Sequence, residues 1–401
     1  MSASGDAQPI GAGIVGAVTG FASSFALVIA GLQAVGASPQ DAASGLLALC
    51  VLQGILAIVL GLRFRMPLAF AWSTPGAALL IAAQATTGDY RAAIGAFLLC
   101  GLLLLVTGLW PWLARAMTRI PKAIASAMLA GILFPICLAP VLASVQLPWL
   151  ALPVVIVWLV LARLAPRWAV PGAVLTTVVV VAVSGEGADL AGADLLPTLT
   201  VTWPAFDPAV LVSLGVPLYI VTMAGQNVPG FAVLTTFGYP HPPARAILSG
   251  TGIATMAGSI FGGYTLNLAA ITAAMMAGPD AHPDRDRRWV ASVTGGVSYL
   301  VLGLGAGAAT VLVSVSPPIL ITAVAGLALF GAFATATTTA LEEPTTRVVA
   351  VVTFLVVASG IAIAGVGSAF WGLVVGGIAM VVLTWRPRRR RGAASETLEA
   401  P

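Results

Sequence analysis

The chain alternates long apolar runs with short polar connections, and the length of the runs is its most informative pattern. A helix needs about 20 apolar residues to cross the hydrocarbon of a bilayer. Fourteen stretches meet or approach that length. Seven lie at roughly 11–36, 42–62, 67–86, 91–113, 121–144, 148–164 and 168–184. Seven more lie at roughly 208–236, 243–259, 261–277, 288–313, 317–340, 346–365 and 367–385. The third and tenth break the pattern. They read Pro67-Leu-Ala-Phe-Ala-Trp-Ser-Thr-Pro-Gly-Ala-Ala-Leu-Leu-Ile-Ala82 and Phe261-Gly-Gly-Tyr-Thr-Leu-Asn-Leu-Ala-Ala-Ile-Thr-Ala-Ala-Met275. Each begins as an extended stub, passes through polar or helix-starting residues and ends as a short helix of small residues.

In the third stretch, Ser73 or Thr74 can cap a helix whose first residue is Pro75, where a missing N–H costs nothing. Gly76, Ala77 and Ala78 then leave the first-turn backbone uncovered. In the tenth, Thr265 or Asn267 takes the cap position before Ala269 and Ala270. Gly262 and Gly263 let the stub approach another backbone closely. Two half-helices would thus start near the membrane midplane, each presenting unpaired N–H groups and a positive dipole end. Such ends suit an anion without any buried cation. Irregular backbone at membrane depth is tolerated only where protein covers it or it lines a cavity. Two kinked helices packing through small residues share this composition, but both segments carry caps as well as small residues. A matched pair of interrupted segments points to the central site of a secondary transporter.

Polar residues elsewhere add candidates. The eighth stretch contains Thr222-Met-Ala-Gly-Gln-Asn-Val-Pro-Gly230, with Gln226 and Asn227 at mid-span. These amides serve either as glue between helices or in ligand recognition. Phe21, Phe25, Phe70, Trp72 and Tyr264 are aromatic residues near the interruptions, and Phe25 and Tyr264 are the candidate ring contacts. All 14 acids fall in loops, tails or span ends. Intramembrane ionisable groups usually mark ion pathways, so the site reads as neutral, polar and dipole-positive, which favours an anionic substrate. Glu342 and Glu343, at the end of the twelfth stretch, are the best titratable candidates for proton coupling, against a plain reading as a solvated helix end. His241 and His282 read as ordinary loop residues.

Composition and charge sharpen this picture. Of 401 residues, 59% are hydrophobic and 8% charged, against about 25% charged in a typical soluble domain. Mean hydropathy is +1.03. No cleavable signal peptide is expected, because the first ten residues are polar and the first apolar run is too long for a signal core. Cys50, Cys100 and Cys137 lie inside apolar runs and read as packing residues; no metal site or cofactor motif is expected. With the N-terminus inside and the fourteen stretches crossing alternately, 17 of the 18 Lys and Arg fall inside, leaving only Arg91 outside. That segregation obeys the positive-inside rule and puts both termini in the cytoplasm. The connection 185–207 falls outside, with four acids and no basic residue. The tail Arg386-Pro-Arg-Arg-Arg-Arg391 reads as an anchor at the anionic inner leaflet and not as a nucleic-acid site.

Seven plus seven crossings place the two halves in opposite orientation, so any repeat between them is inverted. Pro121-Lys-Ala-Ile-Ala-Ser-Ala-Met-Leu-Ala-Gly-Ile-Leu-Phe134 aligns with Pro317-Pro-Ile-Leu-Ile-Thr-Ala-Val-Ala-Gly-Leu-Ala-Leu-Phe330 at a constant offset of 196. The interrupted segments precede these matches by similar distances.

The stretches Leu68-Ala-Phe-Ala-Trp-Ser-Thr-Pro-Gly-Ala-Ala78, Ala224-Gly-Gln-Asn-Val-Pro-Gly230 and Ala277-Gly-Pro-Asp-Ala-His-Pro-Asp284 resemble the bacterial benzoate–proton symporter family, over about residues 10–385. That family is related to nucleobase–cation symporters and sulfate/anion exchangers. The resemblance implies an all-α polytopic membrane protein of the inner membrane, with 14 transmembrane segments in a 7+7 inverted repeat. Segments 3 and 10 would each be a short β-strand plus a half-helix. Residues 10–113 and 208–313 would form a core domain and 121–184 and 317–385 a gate domain. The external linker would be 185–207 and the cytoplasmic basic tail 386–401. Nucleobase relatives place acids on segments 8 and 10, where this chain offers Gln226 or Asn227, and Asn267. The absence of a fixed carboxylate suits a carboxylate substrate and leaves the proton carrier unassigned.

The expectation is import of benzoate or a similar aromatic carboxylate with a proton. Ser73, Thr74, Gly76, Gln226, Asn227, Tyr264, Thr265, Asn267 and Phe25 are the candidate binding residues, with Glu342 as a candidate for coupling. Dimers form in relatives through the gate domain, although nothing in this sequence demands a homodimer. A nucleobase or inorganic-anion transporter of the same fold is the nearest alternative, and an anion channel could use the same dipoles. No catalytic cluster supports an enzyme.

Overall fold

The computed structural model describes residues 4–84, 87, 89–110, 121–184, 195–269 and 271–384. Arg115, Arg119, Glu186, Asp189, Asp194, Ala270 and the basic tail 386–401 lie outside the described residues. In chain order the elements are α1 (Ser4–Ala34), α2 (Pro39–Phe64), β1 (Phe70–Trp72), α3 (Thr74–Ala82), α4 (Tyr90–Leu109), α5 (Lys122–Gln146), α6 (Pro148–Leu164), α7 (Ala169–Ser184), α8 (Pro208–Thr236), α9 (Ala244–Ser259), β2 (Leu266–Leu268), α10 (Ile271–Ala277), α11 (Trp289–Gly303), α12 (Ala306–Val315), α13 (Pro318–Leu341), α14 (Arg347–Ala358) and α15 (Ser368–Thr384). A helix, or a strand followed by a helix, occupies each of the fourteen apolar stretches. By length and composition α1, α2, α4, α5, α8 and α13 can each cross a membrane, and α11 and α12 can do so together across a 56° bend. Helices α6, α7, α14 and α15 are shorter and apolar.

Local chemistry explains where the elements begin and change. Ser38 caps α2 by accepting the Asp41 N–H, with Pro39 in the first turn, and Arg65 ends the helix in the left-handed conformation at φ 51°. Helix α8 is not uniform: Leu211–Gly215 and Met223–Asn227 are π-helical. Each widened turn sits just before a proline, Pro217 or Pro229. A helical proline removes the bond to the carbonyl four residues back and clashes with it. Those carbonyls belong to Ser213 and Gly225, inside the two π turns, where the wider ladder absorbs the conflict.

Packing pairs helices from distant parts of the chain. Helix α11 packs along α1 and α2, and α9 packs against α4 and α2. Helix α5 runs along α13 and also meets α14, which packs on α15, while α6 packs on α7. Small residues permit the tightest crossings. A Cβ on Gly54 of α2 would come within 2.7 Å of the Gly296 carbonyl of α11, and one on Gly296 within 2.7 Å of the Gly54 carbonyl. Between helices without water to drive association, close backbone approach supplies the attraction.

Candidate functional site

The two interruptions meet. β1 and β2 form a two-stranded antiparallel ribbon with Phe70 opposite Leu268, Ala71 opposite Asn267 and Trp72 opposite Leu266. The ribbon is closed at both ends by matching bonds. Ser73 N–H donates to the Thr265 carbonyl at 3.1 Å and Ala269 N–H donates to the Ala69 carbonyl at 2.9 Å. Residues 69 and 265, 71 and 267, and 73 and 269 are each 196 apart, the offset that relates Pro121 to Pro317. Helix α3 leaves one end of the ribbon and α10 the other, so two short helices begin beside the crossing.

Ser73 is fully buried and fully engaged. Its Oγ accepts the Gly76 N–H at 3.1 Å and the Thr222 hydroxyl at 3.0 Å, and its carbonyl accepts the Tyr264 hydroxyl at 2.9 Å. The expected N-cap is therefore present, and a helix-8 hydroxyl and an aromatic residue from the other half brace it. Gly76 leaves no room for a side chain, since a Cβ would come within 2.8 Å of Leu218 and 2.9 Å of Ser73. Thr74 is half-buried beside it.

The second interruption is supported differently: Asn267 lies within β2 and Thr265 just before it, while α10 begins only at Ile271, so neither takes the expected cap position. Asn227 Oδ1 accepts the Leu268 N–H at 2.9 Å, while its Nδ2 lies 3.5 Å from the Met223 sulfur. Thr255 Oγ1 accepts the Leu266 N–H at 3.0 Å. Thr265 is fully buried, with Cys100 Sγ 3.5 Å from its Oγ1. Asn267 is also fully buried. Its Nδ2 donates to the Leu268 carbonyl at 3.1 Å, and its Oδ1 has no partner. Thr272 Oγ1, in the first turn of α10, is likewise buried and unpartnered. Directly opposed residues project from the same face of a ribbon, so Asn267 shares its face with the half-buried Ala71. Gln226, one residue before Asn227 in the π turn, is half-buried.

The aromatic candidates fall into two groups. Trp72 donates Nε1–H to Ser24 Oγ at 2.9 Å and lies edge-on to both Phe21 and Tyr299, with ring centroids 6.0 Å apart in each case. Phe21 stacks on Phe25 at 5.3 Å. Phe25 itself is buried along a narrow apolar crevice with Val174, Leu312 and Ile321, where α1 meets α7, α12 and α13. Tyr264 is fully buried, packs edge-on against Phe97 at 6.2 Å and braces Ser73 through its hydroxyl.

Other candidates lie apart from the ribbon. Glu342 and Glu343 are exposed at the end of α13, and Glu343 Oε1 accepts the Thr345 hydroxyl at 3.0 Å. His241 is exposed, and His282 Nδ1 accepts the Asp284 N–H at 3.0 Å. Among the described residues no group of three His, Cys, Asp or Glu is arranged to hold a metal. Sequence reasoning passed over Thr255 and Arg288. Arg288 is buried and donates to the carbonyls of Ala277 and His282, both at 2.7 Å. It thus caps the C-terminal end of α10, where a cation complements the dipole. Thr255 is one of four hydroxyls in α9, and nothing in the sequence sets it apart from Ser249, Thr251 and Ser259. The signal for Arg288 was an arginine directly before an apolar run.

A family model described as benzoate membrane transport protein matches residues 4–382. The chain is 38% identical to the inner membrane protein YdcO of Escherichia coli, over 95% of this chain and 97% of that one. It is 30% identical to the benzoate membrane transport protein of Acinetobacter baylyi, over 93% and 94%. Among solved structures it is similar to the transmembrane domain of the cyanobacterial bicarbonate transporter BicA, with TM-score 0.56, 17% identity and coverage of 92% and 97%. It is also similar to SLC26A9, with TM-score 0.63, 13% identity and coverage of 93% of this chain and 65% of that one. At such identities the likeness speaks for the fold alone. The Acinetobacter and BicA relatives are membrane transport proteins rather than enzymes, and over nearly its whole length the chain belongs to the benzoate membrane transport protein family.

Proposed function

We propose that this protein is a secondary transporter of the bacterial inner membrane that imports benzoate or a related aromatic carboxylate together with a proton. The observation that carries this reading is the β1–β2 ribbon, which sets the starts of α3 and α10 at the two ends of one short antiparallel pairing with no acidic or basic residue in either strand or short helix. Fourteen crossings form a 7+7 inverted repeat in which α1–α4 and α8–α12 make the core, α5–α7 and α13–α15 the gate, and both termini are cytoplasmic. The 196-residue spacing of the paired ribbon bonds and the packing of α5 along α13 support that division.

The carboxylate sits beside the ribbon, with Ser73, Thr74, Gly76 and Thr265 at the α3 end and Asn267 at the ribbon's centre. Gln226 and Asn227 border it from α8, and Phe25 and Tyr264 belong to the apolar wall that accommodates the ring. The proton travels on the substrate. An unpartnered buried acceptor costs about 1–3 kcal/mol, and a protonated carboxyl supplies the donor that Asn267 Oδ1 lacks. Access alternates as core moves against gate.

The test is uptake of labelled benzoate into proteoliposomes with an imposed inside-alkaline gradient. Accumulation that collapses with the gradient and is competed by other aromatic acids is expected. Absence of both uptake and competition overturns the substrate assignment, and uptake that only equilibrates points to a channel.

A further inference from the structure

Residues 195–207, the described part of the connection that leads into α8, form an extended strap running around the end of the bundle that carries Arg91. Hydrogen bonds along its length hold it. Ala308 N–H donates to the Leu195 carbonyl at 3.1 Å, and Thr202 N–H to the Ile260 carbonyl at 2.8 Å. Thr200 N–H donates to Ser44 Oγ at 2.9 Å, and its hydroxyl to Asp41 Oδ1 at 2.9 Å. Ala205 N–H donates to the Arg91 carbonyl at 2.8 Å.

The strap lies on the flanks of the helices and not over their tips. Ser44 is five residues into α2 and Gly95 five residues into α4, and the Ala205 carbonyl occupies the space a Cβ on Gly95 would need. At 1.5 Å rise per residue the strap runs about 7–8 Å below the helix starts. It also crosses their lipid-facing stripes. On α2 the exposed apolar residues Ile55, Val59 and Leu62 mark a face that continues at helical spacing to Ala48 and Ser44. On α4 the exposed Leu102 and Leu109 continue to Gly95. Both stripes are covered where the strap passes.

Its polarity is inverted relative to a strand facing water. Thr200 and Thr202 turn toward the protein, while Leu199, Val201, Trp203 and Phe206 are 54–71% exposed. An extended segment at a water interface shows the opposite alternation. Residues 195–206 carry no charge, and Arg91 Nε–H donates to the Trp203 carbonyl at 3.2 Å with its side chain exposed.

We propose that this strap is a lipid-binding element whose outward row of Leu199, Val201, Trp203 and Phe206 is buried in the leaflet at the headgroup–acyl boundary. The row continues the lipid-facing stripes of α2 and α4, which decides for lipid over a second copy of the chain. Tryptophan is enriched at that depth because its ring is apolar with one polar edge, and Arg91 beneath it reaches the phosphate level on its apolar stem. The inference needs a membrane-embedded chain but not the transported substrate.

The test uses full-length Val201→Cys carrying a nitroxide, reconstituted into phosphatidylglycerol-containing liposomes and compared with Glu343→Cys as a water-facing control. Oxygen accessibility several-fold above the control, with low accessibility to a water-soluble nickel complex, is expected. Nickel accessibility equal to the control overturns the proposal. So does spin–spin broadening at residue 201 that disappears on dilution with unlabelled protein, which assigns the row to a second copy. Independently, lipids brominated near the acyl carbonyl should quench wild-type tryptophan emission more than that of Trp203→Phe; equal quenching overturns the proposal even if the label perturbs the strap.

Discussion

In the first interrupted segment every polar group of Ser73 has a partner, whereas in the second Asn267 Oδ1 has none. The two segments share a ribbon, yet they stand in different states of completion. The start of α3 is a finished cap, braced by Thr222 from α8 and Tyr264 from the other half. The second interruption is held at its edges by Asn227 and Thr255, with its central residue left short of a donor. A finished cap holds geometry whether or not substrate is present. A buried acceptor that lacks a donor gains from a ligand, which makes the second segment the better discriminator of what is bound.

The sharpest test of this contrast is Ser73→Ala. It removes the acceptor of the Gly76 N–H and strands the Thr222 hydroxyl, so a stability loss of about 2 kcal/mol is expected. Thermal unfolding in detergent should show it, with most of the loss recovered in Ser73→Thr. A substitution that alters only the KM for benzoate, with unchanged unfolding, would erase the distinction between the segments. Next comes Asn267→Asp, which should weaken benzoate binding about tenfold, roughly 1.4 kcal/mol, and more than Asn267→Ala does. The gap should widen as pH rises, because the introduced side chain, once ionised, repels substrate arriving as the carboxylate and accepts only the shrinking fraction that carries its proton. Equal effects of Asp and Ala at all pH values would show that local charge at residue 267 is immaterial.

Tyr264→Phe isolates the brace and keeps the ring against Phe97. Loss of one hydrogen bond to the Ser73 carbonyl should cost about 1 kcal/mol of stability and leave substrate selectivity unchanged. Altered preference among ring-substituted benzoates would instead make the Tyr264 hydroxyl, and not its ring alone, a substrate contact. The smallest effect is expected for Glu342→Gln at the exposed end of α13, within about 0.5 kcal/mol of wild type and with gradient-driven accumulation preserved. Loss of accumulation alone would move the proton from the substrate to Glu342.

Much of this molecule was legible in its residue order, and particular elements show why. The cap at Ser73 was readable because its partner Gly76 is three residues away and Pro75 fixes the first turn. The loosened backbone of α8 was readable because Gly225 and Pro229 are local signals, although only the structure identifies the result as a π turn. The role of Tyr264 was not legible, since its hydroxyl acts on a carbonyl 191 residues earlier. Arg288 was hidden for a similar reason: near an apolar run it reads as an orientation signal, and only the fold brings its guanidinium to the end of α10.

The sequence by itself determined that the chain lives in lipid, where the helical stretches run and which two of them are broken. These properties follow from the chain's own period, length and charge, and from local cap chemistry. The tertiary structure alone decided which polar residues are already used. Ser73, Thr222, Asn227, Thr255 and Asn267 look alike as polar positions in apolar runs. A hydrogen bond is a pairing between two groups, and here most partners come from distant parts of the chain, so only folding could separate the completed cap from the unpartnered amide.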